Sequence, residues 1–214
     1  MTLPIVALTV AIDGPAAAGK GTLARRLAAA LGLPYLDTGL LYRAVARRAL
    51  CAGADPADPA AAEAVARSLH RDDLARTDLR GPEADAAASQ VATHPGVRAA
   101  LVQFQRDFAA SGAVLDGRDI GTVILPDATV KLFITADQPA RAHRRWLELQ
   151  GRGLHVPEAQ VLADLQARDA QDAGRAAAPL RAAHDATVLD TTHLDADATL
   201  VRALEVVRHR QHHS

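Results

Sequence analysis

The stretch Ala11-Ile12-Asp13-Gly14-Pro15-Ala16-Ala17-Ala18-Gly19-Lys20-Gly21-Thr22 decides how the rest of the chain is read. An apolar run, Ile5 to Ile12, precedes it and reads as a buried strand. Leu23 to Leu31 follows it, with Ala, Leu and Arg at helical spacing. Strand, glycine loop and helix in that order form the setting of a phosphate-binding loop. Gly14 and Gly19 allow the backbone to turn tightly, so that successive N–H groups point at a phosphate. The helix that opens at the loop's end adds its positive dipole end, and Lys20 adds a full charge. Gly14, Pro15, Ala16, Ala17, Ala18, Gly19, Lys20, Gly21 and Thr22 are therefore the candidate triphosphate-binding loop.

Such loops usually place Ser or Thr directly after the lysine to hold Mg²⁺. Here that position is Gly21, and the hydroxyl comes one residue later, at Thr22. No direct protein ligand to the metal is expected. Phosphates and water would hold Mg²⁺, with Thr22 and Asp116 the nearest candidates behind them. Composition sharpens the signal: Lys20 and Lys131 are the only lysines among 24 basic residues, and one of them ends the loop.

A chain of 214 residues is long enough for one sizeable α/β domain. Its net charge of -1 gives no general pull toward nucleic acid or membrane. No stretch approaches the ~20 apolar residues of a membrane span, and the N-terminus lacks the pattern of a signal peptide. Cys51 is the single cysteine, which excludes an intrachain disulfide and fits a reducing cytoplasm. It ends an Ala/Leu/Arg helix and reads as a small apolar residue, not a nucleophile.

Along the chain, Leu33 to Leu36 makes a short second strand, Asp37-Thr38-Gly39 a turn, and Leu40 to Ala52 a helix carrying Tyr42 and Arg43. A Pro/Asp linker leads to a short helix ending near Leu69. His70 to Pro82 is polar, charged and without period, and reads as loop. Glu83 to Ala92 is an alanine-rich helix, and another begins near Pro95, with Leu101, Phe104 and Phe108 at core spacing. Strands are expected at 113–116, 130–135 and 187–190, and helices at 138–150, 157–170 and 195–208. Strands separated by helices predict a doubly wound five-stranded parallel sheet with ligands at the strands' carboxyl ends. Trp146 and the phenylalanines read as core. His209, His212 and His213 form a basic tail without the partners of a metal site.

Asp116-Gly117-Arg118-Asp119 falls at the carboxyl end of the third strand, near the phosphate loop. An acidic residue there can act on Mg²⁺ through water, and Arg118 offers a guanidinium fork to a phosphate.

Taken together, the motifs resemble those of the bacterial cytidylate kinases, which are nucleoside monophosphate kinases. The resemblance runs nearly end to end: the loop through Thr22, Leu36-Asp37-Thr38-Gly39 with Tyr42-Arg43, Ala88-Ser89-Gln90-Val91-Ala92, and Val97-Arg98. It continues through Leu115 to Val123, Arg141-Ala142-His143-Arg144-Arg145, Arg168-Asp169 and Ala178-Pro179-Leu180. It implies a P-loop fold acting as one domain over 1–214, with a monophosphate-binding side at about 38–110 and a helical lid at about 141–175. It implies transfer of the γ-phosphoryl of ATP, with Mg²⁺, to CMP or dCMP, by a cytoplasmic monomer.

By the same resemblance, Thr38 and Arg43 contact the acceptor's sugar and phosphate side, and Ser89 and Arg98 recognise cytosine. Arg118 and Asp119 face the monophosphate, while Arg168, Asp172 and Arg175 hold ribose or phosphate. Lys20, Arg118 and Asp116, with Arg141 and Arg145 of the lid, are the candidate catalytic groups, and Arg144 and Arg152 complete the lid's basic set. Residues read alone are blander: Ser89 is a helix hydroxyl, Thr38 a helix N-cap, and Asp172 with Arg175 a helical ion pair. The family's three-stranded insertion before Ala88 is expected to be truncated here, because His70 to Pro82 is short and poor in strand formers. Kinases for UMP, AMP or shikimate are the neighbouring alternatives. An NTPase switch lacks its Asn-Lys-x-Asp motif here, and a nucleic-acid module lacks a basic balance.

Overall fold

The structure is a computed structural model and describes residues 7–175 and 178–212. Two compact units divide the chain: residues 37–108, and the remainder on both sides of that segment.

The larger unit holds a five-stranded parallel sheet flanked by helices. Its strands are β1 (Thr9–Asp13), β2 (Tyr35–Asp37), β3 (Ala113–Gly117), β4 (Val130–Thr135) and β5 (Thr187–Asp190), in the order β2-β3-β1-β4-β5. β1 lies in the middle, pairing Asp13 with Gly117 of β3 and Phe133 of β4. Val10 and Ile12 are fully buried, as central parallel strands require. They pack with Leu23 and Leu27 of α1 (Lys20–Leu31) and with Val114, Leu132 and Ile134. Gly32 ends α1 in the left-handed conformation that favours glycine, its N–H closing the last turn.

Two further helices of this unit, numbered in chain order, are α6 (Gln138–Gly151) and α7 (Glu158–Ala173). Asp137 starts α6 by accepting from the N–H of Ala140 at 2.7 Å. Ala142 and Leu149 pack against Val161 and Leu165, with Ala16 of the phosphate loop in the same cluster. The last helix is α8 (Ala196–His212).

Residues 37–108 fold as helices: α2 (Thr38–Cys51), α3 (Pro59–Arg67), α4 (Pro82–Val91) and α5 (Pro95–Ala109). Leu41, Val45, Val91 and Leu101 are fully buried. The segment from 70 to 81 carries one short 3₁₀ turn, Arg71–Ala75, and buries Leu79. No strand occurs among its described residues.

The expected elements recur with shifted ends. The second strand begins two residues later than predicted, and α2 begins at Thr38, which places Asp37 and not Thr38 at its N-cap. Ile5 and Val6 of the predicted first strand, and His213 of the tail, lie outside the described residues. The expected core aromatics are half-buried: Phe104, Phe108, Phe133 and Trp146 all keep some exposed surface.

Candidate active site

At the carboxyl end of β1 the backbone doubles back through Gly14, whose φ is 146°. A Cβ there would lie 2.0 Å from the carbonyl oxygen of Ile134, so only glycine fits. Gly19 caps α1 with φ 90°, and Ala17 also adopts the left-handed region, at φ 58°. A non-glycine residue so placed is strained by about 1–2 kcal/mol. The result is a loop whose N–H groups turn inward ahead of a helix N-terminus.

Lys20, the first residue of α1, is buried, and its Nζ donates to the carbonyl of Pro15 at 2.6 Å. Burial, and next the guanidinium of Arg118, depress its pKa well below the usual lysine value. Asp116 and Asp172 oppose them, and Arg168 adds to the depression. These influences place Lys20, Asp116, Arg118, Arg168 and Asp172 in one electrostatic neighbourhood. The ammonium is short of anions, which is the condition a polyphosphate would relieve.

Arg118 donates through Nε to Asp172 Oδ2 at 2.7 Å, and Arg175 donates to the other oxygen of the same carboxylate. Burial alone would raise the Asp172 pKa, but Arg118 and Arg175 prevail and lower it. Asp116 Oδ1 accepts from the hydroxyl of Tyr35 at 2.9 Å. Its Oδ2 lies 3.8 Å from where a Cβ on Gly21 would be. Asp119 is buried just beyond. Among the described residues, no group of three or more His, Cys, Asp or Glu is placed to hold a metal ion.

The arginines of α6 and its C-cap have separate settings. Arg141 is buried; it donates to the carbonyls of Ala136 at 3.0 Å and Ala16 at 3.1 Å, and pairs with Asp169 at 2.6 Å. Arg144 donates to Thr191 Oγ1 at 3.1 Å and to backbone carbonyls of the same loop. Arg145 and Arg152 pair with Glu148, at 2.8 and 2.7 Å. A cleft of about 420 Å³ opens beside the phosphate loop, lined by Gly19, Thr22, Arg144, Arg145, Thr191 and Thr199 among others.

Two groups escaped the sequence reading. Thr191 Oγ1 lies 3.2 Å from the carbonyl of Ala18 and 3.1 Å from that of Thr135, joining the end of the sheet to the phosphate loop. Its position just past a strand's carboxyl end was the available signal. Asp13, the last residue of β1, accepts hydrogen bonds from the N–H groups of Ile120 and Gly121, and no local pattern announced it.

The unit of residues 37–108 carries its own polar cluster. Thr38 and Arg43 stand on α2, which packs against α4, the helix that bears Ser89. Arg43 Nε donates to Asp85 Oδ1 at 2.8 Å, and its Nη1 lies 3.8 Å from Asp37 Oδ1. Asp85 and Ser89 are one helical turn apart on α4. Arg98 is buried over the ring of Tyr42, 5.8 Å from its centroid, and donates to the carbonyl of Ala92 at 3.5 Å.

The chain's likenesses agree with this chemistry. Cytidylate kinase is the family whose model matches, over residues 10–209. A protein named cytidylate kinase from Granulibacter bethesdensis is 63% identical over 204 residues, covering 95% of this chain and 98% of the relative. Another so named, from Acidiphilium cryptum, is 62% identical over 208 residues and covers 97% of each chain. Among solved structures, an uncharacterized protein from Eubacterium ventriosum superposes with a TM-score of 0.56 at 16% identity, over 94% of this chain and 98% of its own. That is a likeness of fold alone. A near-complete family match and relatives of this identity, joined to a buried lysine in a glycine-turned phosphate loop, place the chain in the cytidylate kinase family.

Proposed function

We propose that the chain transfers the γ-phosphoryl of ATP to CMP or dCMP, releasing ADP and the nucleoside diphosphate. The observation that carries this reading is the buried Lys20 ammonium, folded across its loop and electrostatically linked to the Arg118–Asp172–Arg175 cluster. Phosphoryl transfer asks the protein mainly for positioning and charge neutralisation, and Lys20, Arg118 and Arg175 supply cations while Asp172 holds two of them in place.

The donor's phosphates bind the N–H groups from Gly14 to Thr22, and the adenosine portion occupies the cleft between Thr22 and Arg144. Lys20 follows the β- and γ-phosphates. Arg118 and Asp119 receive the acceptor monophosphate, and Arg168, Asp172 and Arg175 hold its phosphate or ribose. Thr38 and Arg43 contact its sugar side. Ser89 and Arg98 read cytosine, whose edge offers one amino donor and two acceptors; fixed polar partners discriminate because a wrong base leaves them unpaired. Residues 38–110 then serve as the monophosphate-binding side, and 141–175 as the lid of a single kinase domain. In the lid, Arg145 reaches the transferring group while Arg141 holds α6 against the phosphate loop.

Asp116, beside Gly21 and held by Tyr35, suits a magnesium ion ligated by phosphate and water better than one caged by protein. Such an ion would supply charge neutralisation to the donor's phosphates. No helix of the described residues is long and apolar enough to cross a membrane, and we place the protein in the cytoplasm as a monomer.

The test is ADP release from Mg·ATP against a panel of CMP, dCMP, UMP, AMP, GMP and shikimate. Turnover confined to CMP and dCMP is expected. Equal turnover of UMP would mean relaxed base selection, and acceptor-independent hydrolysis would overturn the kinase reading.

A further inference from the structure

We infer that Asp13 is a positioning residue for phosphoryl transfer, the tie that sets the Arg118–Asp119 segment in register with the phosphate loop. The inference rests on the proposed kinase reading for what is being transferred, and on geometry for the tie itself. Asp13 closes β1 and immediately precedes Gly14, so its backbone is continuous with the phosphate loop. Its Oδ1 accepts from the N–H of Ile120 and its Oδ2 from the N–H of Gly121, each at 2.7 Å. Those two amides open the helical turn Ile120–Ile124, directly after Arg118 and Asp119. One carboxylate therefore holds both strands' outgoing loops, using both oxygens on consecutive backbone donors.

The site is closely packed. Asp13, Asp119, Ile120 and Gly121 are all buried. A Cβ on Gly121 would lie 3.2 Å from Lys131 Cδ and 3.4 Å from Asp13 Oδ2, so a larger residue here would press on the Lys131 and Asp13 side chains. Lys131 is itself anchored to Asp185 at 2.8 Å. A carboxylate this deep is costly, and burial raises its pKa to about 6. The two backbone N–H groups oppose that rise, Asp119 adds to it, and Lys20 opposes it. A pair of apolar side chains would hold two loops together with no such cost, but without directional registry. Charge-assisted bonds to two consecutive amides define both the distance and the rotation of the following segment. In-line transfer depends on such registry, since a misplacement of about 1 Å can cost about a hundredfold in rate.

The test uses the full-length protein and its Asp13→Asn and Asp13→Ala variants. Asn keeps one acceptor oxygen and Ala keeps none. With saturating Mg·ATP and whichever monophosphate the wild type phosphorylates best, kcat should fall about a hundredfold in Asp13→Ala and less in Asp13→Asn. KM for each substrate should stay within about threefold, because the binding groups remain. Choosing the best acceptor separates the two claims: failure of CMP in the wild type overturns the kinase assignment, while the variant-to-wild-type ratio judges Asp13. The second measurement is a ¹H–¹⁵N spectrum of substrate-free wild type titrated from pH 4.5 to 8. The Ile120 and Gly121 amides should move together with a midpoint at about 6, which needs no variant to fold. Amides indifferent to pH, or an Asp13→Ala enzyme with wild-type kcat, would overturn the inference. A parallel rise in both KM values with kcat unchanged would overturn it equally, as a loss of binding rather than of registry.

Discussion

Arg141 on α6 donates to the carbonyl oxygen of Ala16 at 3.1 Å, joining this helix to the middle of the phosphate loop. The same guanidinium spans Ala136 and Asp169, so one buried side chain binds β4's exit, the loop, α6 and α7. Replacing it with alanine should cost about 3 kcal/mol, because Asp169 loses its partner in a partly buried site. Lysine should rescue little, since a point charge cannot reproduce three forked contacts. Denaturant unfolding of Arg141→Ala and Arg141→Lys checks this, and equal stability of lysine and wild type would refute it.

The loop's two glycines make different demands. Gly14→Ala drives a Cβ to 2.0 Å from Ile134 O, whereas at Gly19 nothing lies within 4 Å and only the φ of 90° is unfavourable. Gly19→Ala should therefore lose about 1–2 kcal/mol of stability and fold normally. Gly14→Ala should fail to bind ADP by calorimetry, because its backbone cannot hold the loop and the strand apart.

Burial depresses Lys20, and its charge is therefore a cost to the empty protein. The unfolded chain holds this proton to a higher pH than the folded one, and below both pKa values the buried ammonium penalises the folded state in full. Lys20→Met should raise the melting temperature of the substrate-free protein by a few degrees, equivalent to about 1 kcal/mol. Turnover should fall at least about a thousandfold. A melting temperature lowered by the substitution would contradict the electrostatic account.

Asp172 is the shared anion of two arginines. Asp172→Ala leaves Arg118 and Arg175 facing each other inside the protein, which should cost about 3 kcal/mol. KM for the acceptor should rise more than about tenfold, with KM for ATP little changed. Steady-state kinetics with each substrate varied in turn decides the point.

Asp13 and Asp172 should leave opposite marks on the pH dependence of stability. Asp13 rises from 3.8 to about 6, so the folded state holds its proton more tightly than the unfolded one. Its contribution is greatest below pH 3.8 and declines as pH climbs to about 6, by up to about 3 kcal/mol. Asp172 is lowered, so its contribution is present above 3.8 and is lost as pH falls through its folded value. Asp13→Asn should remove the decline between pH 4 and 6 in urea-unfolding free energies. A decline that persists unchanged would place its origin elsewhere.

Short-range patterns carried the phosphate loop, the five strands and the helices between them, because each is decided by neighbours a few residues apart. Glycine spacing announced a loop that the Gly14 and Gly19 dihedrals then required. Alanine-rich helical runs were equally plain, although the aromatics beside them are only half-buried, which spacing does not reveal. The Asp172–Arg175 pair was legible as a helical ion pair, but that Arg118 takes the other oxygen of the same carboxylate was not. Asp13 grips amides 107 and 108 residues away, and Arg141 a carbonyl 125 residues away. Such pairings leave no periodicity or local motif in the chain. They exist only once the parallel sheet brings the ends of β1, β3 and β4 side by side, where burial turns an ordinary carboxylate or guanidinium into a directed, costly and specific bond.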